Sequence, residues 1–254
     1  MDIGEFSWRF DIQYNNITSN QAPGLTEAEK SVFLTKAQDE LVKNYFLPQS
    51  NPKQAGFDDN QKRQADFSCL MKVDNCTKVT INPSDPQYTQ IDSRSTVWTF
   101  PTDVFLAINE SAKVGDNILQ VIPLKYDEYL RLMSKPFKRP LKNQAWRLIN
   151  TGTDNYVKVA EIVAGPNETV TSYTIRYIRR PKPIILGDLD GLTINGYTYS
   201  ATPSTATQTN GECELDPMMH EEILQRAVEL AKIAWTNTGQ DNLQAVIQAG
   251  QRSE

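Results

Sequence analysis

The chain has 254 residues and a formal net charge of −5 at pH 7. This length allows one large domain or two small ones. The excess of acidic residues argues against a nucleic-acid-binding protein with a basic surface. No apolar run approaches the roughly twenty residues of a membrane span, and the first residues lack the basic start and apolar run of a secretory signal. The odd number of cysteines predicts reduced thiols that act as small core residues: Cys69, Cys76 and Cys213.

Two amphipathic helices are predicted at the N-terminus. Within residues 5–19, large apolar side chains recur at the spacing of one helical face: Phe6, Phe10, Tyr14 and Ile17. Thr26 and Glu29 form a capping box that starts a second helix. That helix has an apolar face of its own: Phe33, Ala37, Leu41 and Tyr45. Because only a short turn separates the two helices, we expect a helical hairpin.

The middle of the chain is predicted to be mainly β. Alternating or short apolar segments predict strands at 96–100, 103–108, 117–123, 145–150, 156–163 and 170–178. One short helix is expected at 126–133. Asn195 and Gly196 are the residue pair typical of a two-residue hairpin turn. Residues 198–212 are rich in Thr, Ser, Asn, Gln and Gly, which indicates either a flexible tip or an arm that becomes ordered on a partner.

A C-terminal helix is predicted after Asp216, a capping residue that precedes Pro217 at the first helical position. Its apolar face consists of Leu224, Val228, Ala231 and Trp235. The predicted fold class is α+β, in which the N-terminal hairpin and the C-terminal helix form a helical bundle with an inserted, mainly antiparallel β region. The predicted domain limits are 1–60, 61–212, which includes the polar arm, and 213–254.

The sequence lacks the common motifs of catalysis and metal binding. The single histidine, His220, is expected to be solvated in the first turn of the C-terminal helix, and no nucleophile elbow accompanies it. Cys69 and Cys76 have no second pair of zinc ligands, and no glycine-rich phosphate loop is present. We therefore predict a protein that is not an enzyme and that binds no cofactor and no metal.

Two clusters of basic residues stand out. The first cluster consists of Lys135, Lys138, Arg139 and Lys142. The second cluster consists of Arg176, Arg179, Arg180 and Lys182. Such clusters occur at solvated strand edges, at interfaces with an acidic neighbouring subunit, and at contacts with a phosphate backbone. The sequence leaves these three interpretations open.

Several stretches of the chain resemble one protein family. They are residues 10–25, 29–38, 175–186, 213–215, 220–223 and 227–231. These stretches resemble the head–tail connector (adaptor, or neck ring) proteins of crAss-like short-tailed bacteriophages. The resemblance implies a structural protein of the virion that forms a ring of twelve copies, a dodecamer, between the portal and the tail. Genomic DNA would pass through the lumen of this ring without sequence-specific binding.

The resemblance also implies partners and a location. The partners would be further copies of the chain, the portal protein and further neck or tail ring proteins, with no membrane contact. The protein would be made in the cytoplasm of the host bacterium and would lie in the neck of the virion. The residues expected at subunit contacts are Phe6, Phe10, Tyr45, Arg176, Arg179, Arg180, Lys182, Tyr197, Tyr199 and Trp235.

Two other functions are compatible with the same sequence. Many β segments and Thr- and Ser-rich loops would suit a tail-tube or receptor-reading binding module of a phage particle. An enzyme that acts on nucleic acid or on the cell wall would instead use the basic clusters as its substrate track.

Overall fold

The computed structural model describes residues 1–18, 24–46, 61–80, 95–151, 158–165, 168–187 and 189–236. The chain divides into two compact units. The terminal unit comprises Met1–Leu70 and Arg180–Glu254, and the central unit comprises Met71–Arg179. The domain limits drawn from the sequence stay a prediction.

Helices and strands alternate unevenly along the chain. The described α-helices are α1 (Ile3–Thr18), α2 (Glu27–Phe46), α3 (Gln61–Asp66), α4 (Tyr126–Met133) and α5 (His220–Thr236). The described strands are β1 (Met71–Asn75), β2 (Thr77–Val79), β3 (Thr96–Thr99), β4 (Val104–Val114), β5 (Asn117–Pro123), β6 (Gln144–Thr151), β7 (Lys158–Val163), β8 (Ser172–Arg179), β9 (Thr193–Ile194), β10 (Tyr197–Tyr199) and β11 (Gln208–Thr209). The six strands predicted from the sequence are confirmed, and β5 and α4 have the predicted bounds.

The central unit is an eight-stranded sheet that nearly closes on itself. The strand order is β1-β8-β4-β5-β6-β7-β3-β2. The β5–β6 pair is parallel, and the other neighbours are antiparallel. The two end strands, β1 and β2, are separated in sequence only by Cys76, whose N–H donates to the carbonyl of Tyr173 at 2.8 Å. A bend in one stretch of chain therefore brings the two ends of the sheet together as a near-barrel.

Alternation along the strands fills the interior of this near-barrel. In β8, the side chains of Tyr173, Ile175 and Tyr177 lie on one face and are fully buried. They share a core cluster with Trp98 and Leu119 from β3 and β5. Each large apolar side chain buried in this way contributes roughly 1.5–3 kcal/mol to folding. The predicted common face of the two tyrosines and the isoleucine is confirmed.

Helix α4 lies in the connection between the parallel strands β5 and β6. Parallel neighbours need a crossover connection, and here the crossover runs from Leu124 to Asn143. Tyr129 of α4 packs edge-on against Trp146, with ring centroids 6.2 Å apart. Leu148 and Val163 complete this second cluster. The helix is thereby fixed to the sheet by its buried face.

In the terminal unit, α1 and α2 share α5 as their main helical neighbour. The aromatic face predicted for α1 is buried, since Phe6, Phe10 and Tyr14 are at most 2% exposed. Lys30 on α2 forms a salt bridge with Asp11 on α1 at 2.7 Å. A second, three-stranded sheet with the order β11-β10-β9 also belongs to this unit.

The predicted fold class is wrong. Helical spacing predicted a helical bundle with an inserted β region, but the structure is mostly the large eight-stranded near-barrel, with few helices. The two N-terminal helices also do not form a hairpin of their own, because each packs mainly against α5. The physical reason is that spacing identifies the apolar face of a helix, whereas a barrel is built by the pairing of strands distant in sequence.

Candidate functional site

The predicted contact residues of α1 are inside the protomer. Phe6 is 1% exposed and its ring lies 5.3 Å from the imidazole of His220, measured between centroids. Phe10 is fully buried and stacks on Tyr14 at 6.1 Å. These two phenylalanines hold α1 in place, and their contact with a neighbouring subunit stays a prediction.

Tyr45 lies at the end of α2 in a mixed polar and aromatic environment. Its hydroxyl donates to Glu222 on α5 at 3.0 Å. The guanidinium of Arg63 lies 5.3 Å from the centre of its ring, and Phe67 meets the ring edge-on at 5.7 Å. Burial, followed by the hydrogen bond to the Glu222 carboxylate, raises the pKa of Tyr45 to about 12. Tyr45 is therefore a neutral phenol whose hydrogen bond to Glu222 links α2 to α5.

The second basic cluster is divided between the two units, with Arg176 and Arg179 in the central unit and Arg180 and Lys182 in the terminal unit. Arg176 is exposed on β8, and Arg179 ends the same strand. Arg180 forms a salt bridge with Asp39 on α2. Lys182 contributes its backbone: its N–H donates to Glu214 at 2.9 Å, and its carbonyl accepts from Gln38 at 3.0 Å. At least two of the four residues thus serve the packing of the terminal unit.

A row of buried polar side chains on α2 binds the extended segment 182–186. The Ser31 hydroxyl accepts from the N–H of Leu186 at 2.8 Å, and the Thr35 hydroxyl donates to the carbonyl of Ile184 at 3.3 Å. Gln38 completes the row through its bond to Lys182. Sequence reasoning missed these residues, although their spacing of four and three places them on one helical face.

The polar arm is anchored at both of its ends. Asn195 and Gly196 have φ angles of 54° and 82°, so the predicted two-residue hairpin turn between β9 and β10 is confirmed. Tyr197 and Tyr199 belong to β10, which pairs in parallel with β11. Residues 201–207 between these strands are exposed. A contact of this arm with a neighbouring ring stays a prediction, and the side chain of Trp235 lies outside the described residues.

His220 is buried, so the expectation of a solvated histidine is wrong. It is 4% exposed, its Nδ1 lies 2.8 Å from the N-terminal amine of Met1, and its Nε2 lies 3.0 Å from the carbonyl oxygen of Leu215. Burial lowers the pKa of His220, and the positive amine of Met1 lowers it further against the opposing effect of the Leu215 carbonyl. The start of α1 covers the imidazole, and the local sequence around His220 gives no sign of this.

A polar network lies inside the near-barrel. Glu110 forms a salt bridge with Arg147 at 2.8 Å, and the hydroxyl of Tyr173 donates to Glu110 at 2.9 Å. Burial raises the pKa of Glu110, while Arg147 and Tyr173 act in the opposite direction. Nearby Cys76 is buried, and its pKa is raised to about 12, first by burial and then by Glu110. The salt bridge and the hydrogen bond of Glu110 thus link β4 to β6 and to β8.

The cysteines have three different environments. The predicted core position is confirmed for Cys76 and wrong for Cys69, which is exposed. Cys213 is half-buried with its Sγ 3.8 Å from Gln38, and burial is the main reason that its pKa is raised to about 11. None of these three cysteines forms a disulfide bond.

The first basic cluster lies on the crossover after α4, next to exposed apolar side chains. We define surface 130–142 by six of the exposed residues in this range: Leu130, Lys135, Phe137, Lys138, Leu141 and Lys142. Phe137 is 100% exposed, and Leu130 and Leu141 are 71% and 66% exposed. Three large apolar side chains exposed within residues 130–141 make this segment a candidate interaction site.

Two absences hold for the described residues. Within them, no group of three or more His, Cys, Asp or Glu side chains could hold a metal ion. None of the helices in the described ranges is both long and apolar enough to cross a bilayer.

The chain is similar over its whole length to ring proteins of a phage. Its residues 1–242 match the family model described as phage tail ring protein 3/4. It is 49% identical over 258 residues to ring protein 4/5 of Bacteroides phage crAss001, with 100% of both chains covered. It is 33% identical over 242 residues to ring protein 3 of the same phage, with 91% of this chain and 95% of the relative covered. The resemblance found in the sequence is confirmed: the chain belongs to the family of crAss-like phage tail ring proteins.

Proposed function

We propose that the chain forms a closed ring in the neck of the virion, where it joins the portal to the tail as an adaptor. The observation that carries this proposal is the end-to-end similarity to ring protein 4/5 of Bacteroides phage crAss001. The role is structural, and the family supports a function without catalysis. The chain would be made in the host cytoplasm and then incorporated into the particle.

Ring closure places a physical requirement on each subunit. In a ring, every subunit contacts its neighbours head to tail, so it must present two different faces that fit each other. An exposed apolar and basic surface is available at 130–142. We propose twelve copies in the ring, and with 28.7 kDa for one chain, twelve chains have a mass of about 344 kDa.

The lumen of the ring is proposed to let genomic DNA pass without binding it by sequence. The net charge of −5 supports this, because an acidic subunit repels the phosphate backbone. A channel wall that attracted DNA strongly would hold the genome instead of releasing it. The further partners proposed are the portal protein and the neighbouring ring proteins of the neck or tail.

The test is the mass and shape of the purified chain, alone and mixed with its portal protein. Light scattering and negative-stain microscopy are expected to give a twelve-fold ring near 344 kDa, either alone or stacked on the portal. A chain that stays at 28.7 kDa in both samples would contradict the adaptor function. A closed ring that does not bind the portal but binds a distal tail protein would support ring formation and contradict the proposed location in the neck.

A further inference from the structure

Surface 130–142 combines exposed apolar side chains with lysines that no described acidic side chain neutralises. Phe137 contributes a completely exposed ring at its centre. Three lysines of the surface form no salt bridge within the part of the chain that the structure describes: Lys135, Lys138 and Lys142. Exposed aromatic side chains and cations of this kind serve as anchors when an interface covers them.

The backbone that carries Phe137 is held in a fixed conformation. Residues Pro136–Lys138 form a 3-10 turn, in which the N–H of Lys138 donates to the carbonyl of Lys135 at 2.9 Å. The Nε of Arg139 donates to the carbonyl of Met133 at 3.2 Å, and Pro140 is buried. Because the loop is already ordered, binding through Phe137 costs little conformational entropy.

The two units of the chain have net charges of opposite sign. The central unit contains 14 Lys and Arg against 11 Asp and Glu, a net charge of +3. The terminal unit contains 12 Lys and Arg against 20 Asp and Glu, a net charge of −8. The terminal unit of a second copy therefore carries a net charge opposite to that of the lysines of surface 130–142.

We propose that surface 130–142 binds the acidic terminal unit of a second copy of this chain, with Phe137 as the apolar anchor and the three lysines opposite carboxylates. Such a contact joins two different faces and is therefore head to tail, as a ring requires. The inference deepens the proposed function and rests on it where it says that the contact closes into a ring.

Apolar exposure favours a protein partner over DNA. Phosphate contacts are made by cations and by backbone or hydroxyl donors. Leu130 and Leu141 supply none of these groups, and Phe137 gains nothing beside the backbone of a stacked duplex. Burial of all three against protein removes their apolar surface from water, at roughly 25 cal/mol for each Å².

The experiment compares surface variants with matched controls by sedimentation velocity over a range of concentrations. The surface variants are Phe137→Ser and the double reversal Lys138→Glu with Lys142→Glu. The controls are Val73→Ser on β1, which is 56% exposed, and Lys78→Glu on β2, which is also exposed. Each surface variant is expected to weaken self-association at least about tenfold, while the controls leave it unchanged. A rise in salt from about 50 to about 500 mM is expected to weaken the wild type and to act less on the double reversal.

The outcomes separate the inference from the proposed function. Association that depends on Phe137 but gives open chains supports the inference and contradicts the ring, whereas closed dimers overturn the inference because they join identical faces. If all variants form closed rings equally well, the proposed ring is supported and the inference about surface 130–142 is overturned. Duplex DNA binding that only the surface variants lose, with assembly intact, overturns it in favour of a DNA contact. A wild-type chain that stays monomeric with and without the portal protein overturns both the inference and the proposed function. Thermal unfolding is used to check that each variant is folded.

Discussion

The hydroxyl of Ser31 on α2 accepts a hydrogen bond from the backbone N–H of Leu186 at 2.8 Å. The same hydroxyl donates to the carbonyl of Glu27 at 2.6 Å, and both Ser31 and Leu186 are fully buried. Segment 182–186 is extended and runs along α2, so its backbone groups need partners that neither a helix nor a sheet supplies. The polar side chains of α2 supply them.

Replacement of Ser31 by Ala is expected to lower the free energy of unfolding by about 1–3 kcal/mol. The substitution leaves the buried N–H of Leu186 without its acceptor, and an unsatisfied buried donor costs the full penalty of its desolvation. Urea denaturation followed by circular dichroism measures the change. The matched control is Ser134→Ala, because the exposed Ser134 hydroxyl donates to the carbonyl of Arg131 at 2.9 Å and water replaces it. Equal losses in the two variants would contradict the role of Ser31.

The sequence predicted elements whose signals are local. Strand β5 and helix α4 have the predicted bounds, because apolar alternation and a proline stop act over a few residues. The Asn195-Gly196 turn was predictable for the same reason, since its conformation follows from the two residues that occupy it. Family membership was recognisable from stretches at both ends of the chain.

The sequence did not predict features that depend on distant partners. A serine at position 31 has the pattern of a solvated helical residue until segment 182–186 is placed beside it. His220 is followed in sequence by Glu221 and Glu222, and its burial depends on Met1 and Phe6, which lie more than 200 residues away in the chain. Closure of the near-barrel depends on the bend at Cys76, which separates two strands that pair with distant neighbours. Such long-range pairings leave no local pattern.

Replacement of Arg147 by Met is expected to destabilise the central unit by roughly 3–5 kcal/mol near neutral pH. The variant leaves the Glu110 carboxylate buried without its cation. The double variant with Glu110→Gln is the control, and it is expected to recover most of the loss because no charge remains. Urea denaturation of the two variants measures the difference. Similar losses in the single and double variants would show that packing, and not charge, accounts for the effect.

The cost of Arg147→Met is also expected to increase with pH. Burial already raises the folded-state pKa of Glu110, and loss of Arg147 removes an effect that lowers it. A carboxyl group whose folded-state pKa lies above its unfolded value favours folding when it is protonated, and this stability is lost as pH rises through the folded-state pKa. The single variant is therefore expected to lose more stability at about pH 8 than at about pH 5. A loss that is independent of pH would contradict this assignment.

Acidification below about pH 6.5 is expected to destabilise the terminal unit through His220. Burial lowers the folded-state pKa of His220 below its unfolded value, so the neutral imidazole contributes to stability. This contribution is fully present above the unfolded pKa and is lost as pH falls through the folded-state pKa. The groups that act on the imidazole charge are the Met1 amine, which lowers the pKa, and Asp216 and Glu5, which raise it. The slope contributed by one histidine is at most about 1.4 kcal/mol per pH unit.

The variant His220→Gln isolates this contribution. Glutamine retains an amide near the carbonyl of Leu215 but does not titrate between pH 5 and 8. Thermal or urea unfolding measured over this range is expected to show a shallower acid slope in the variant than in the wild type. The slope that remains in the variant comes from carboxylates elsewhere in the chain. Identical slopes for the two proteins would exclude His220 as a source of acid sensitivity.

Gly211 is expected to tolerate no side chain. Its φ angle is 82°, a conformation that disfavours any residue with a Cβ, and a Cβ at this position would lie 2.4 Å from the carbonyl oxygen of Ile185. The N–H of Ile185 donates to the carbonyl of Gly211 at 3.0 Å, so the two backbones cannot separate without loss of this bond. Gly211→Ala is therefore expected to lower the free energy of unfolding by more than the roughly 1–2 kcal/mol that the backbone conformation alone costs.

Gly191→Ala provides the control, since Gly191 has a φ angle of 84° and open space where the Cβ would stand. Both alanine variants are destabilised by the left-handed backbone conformation, but only the Cβ of Gly211→Ala collides with the backbone of Ile185. The difference between their unfolding free energies, measured in urea, therefore reports the close approach of the two chain segments. If the two variants lose the same stability, residues 209–211 do not pack against the extended segment as the structure places them, because the backbone cost alone would then account for both.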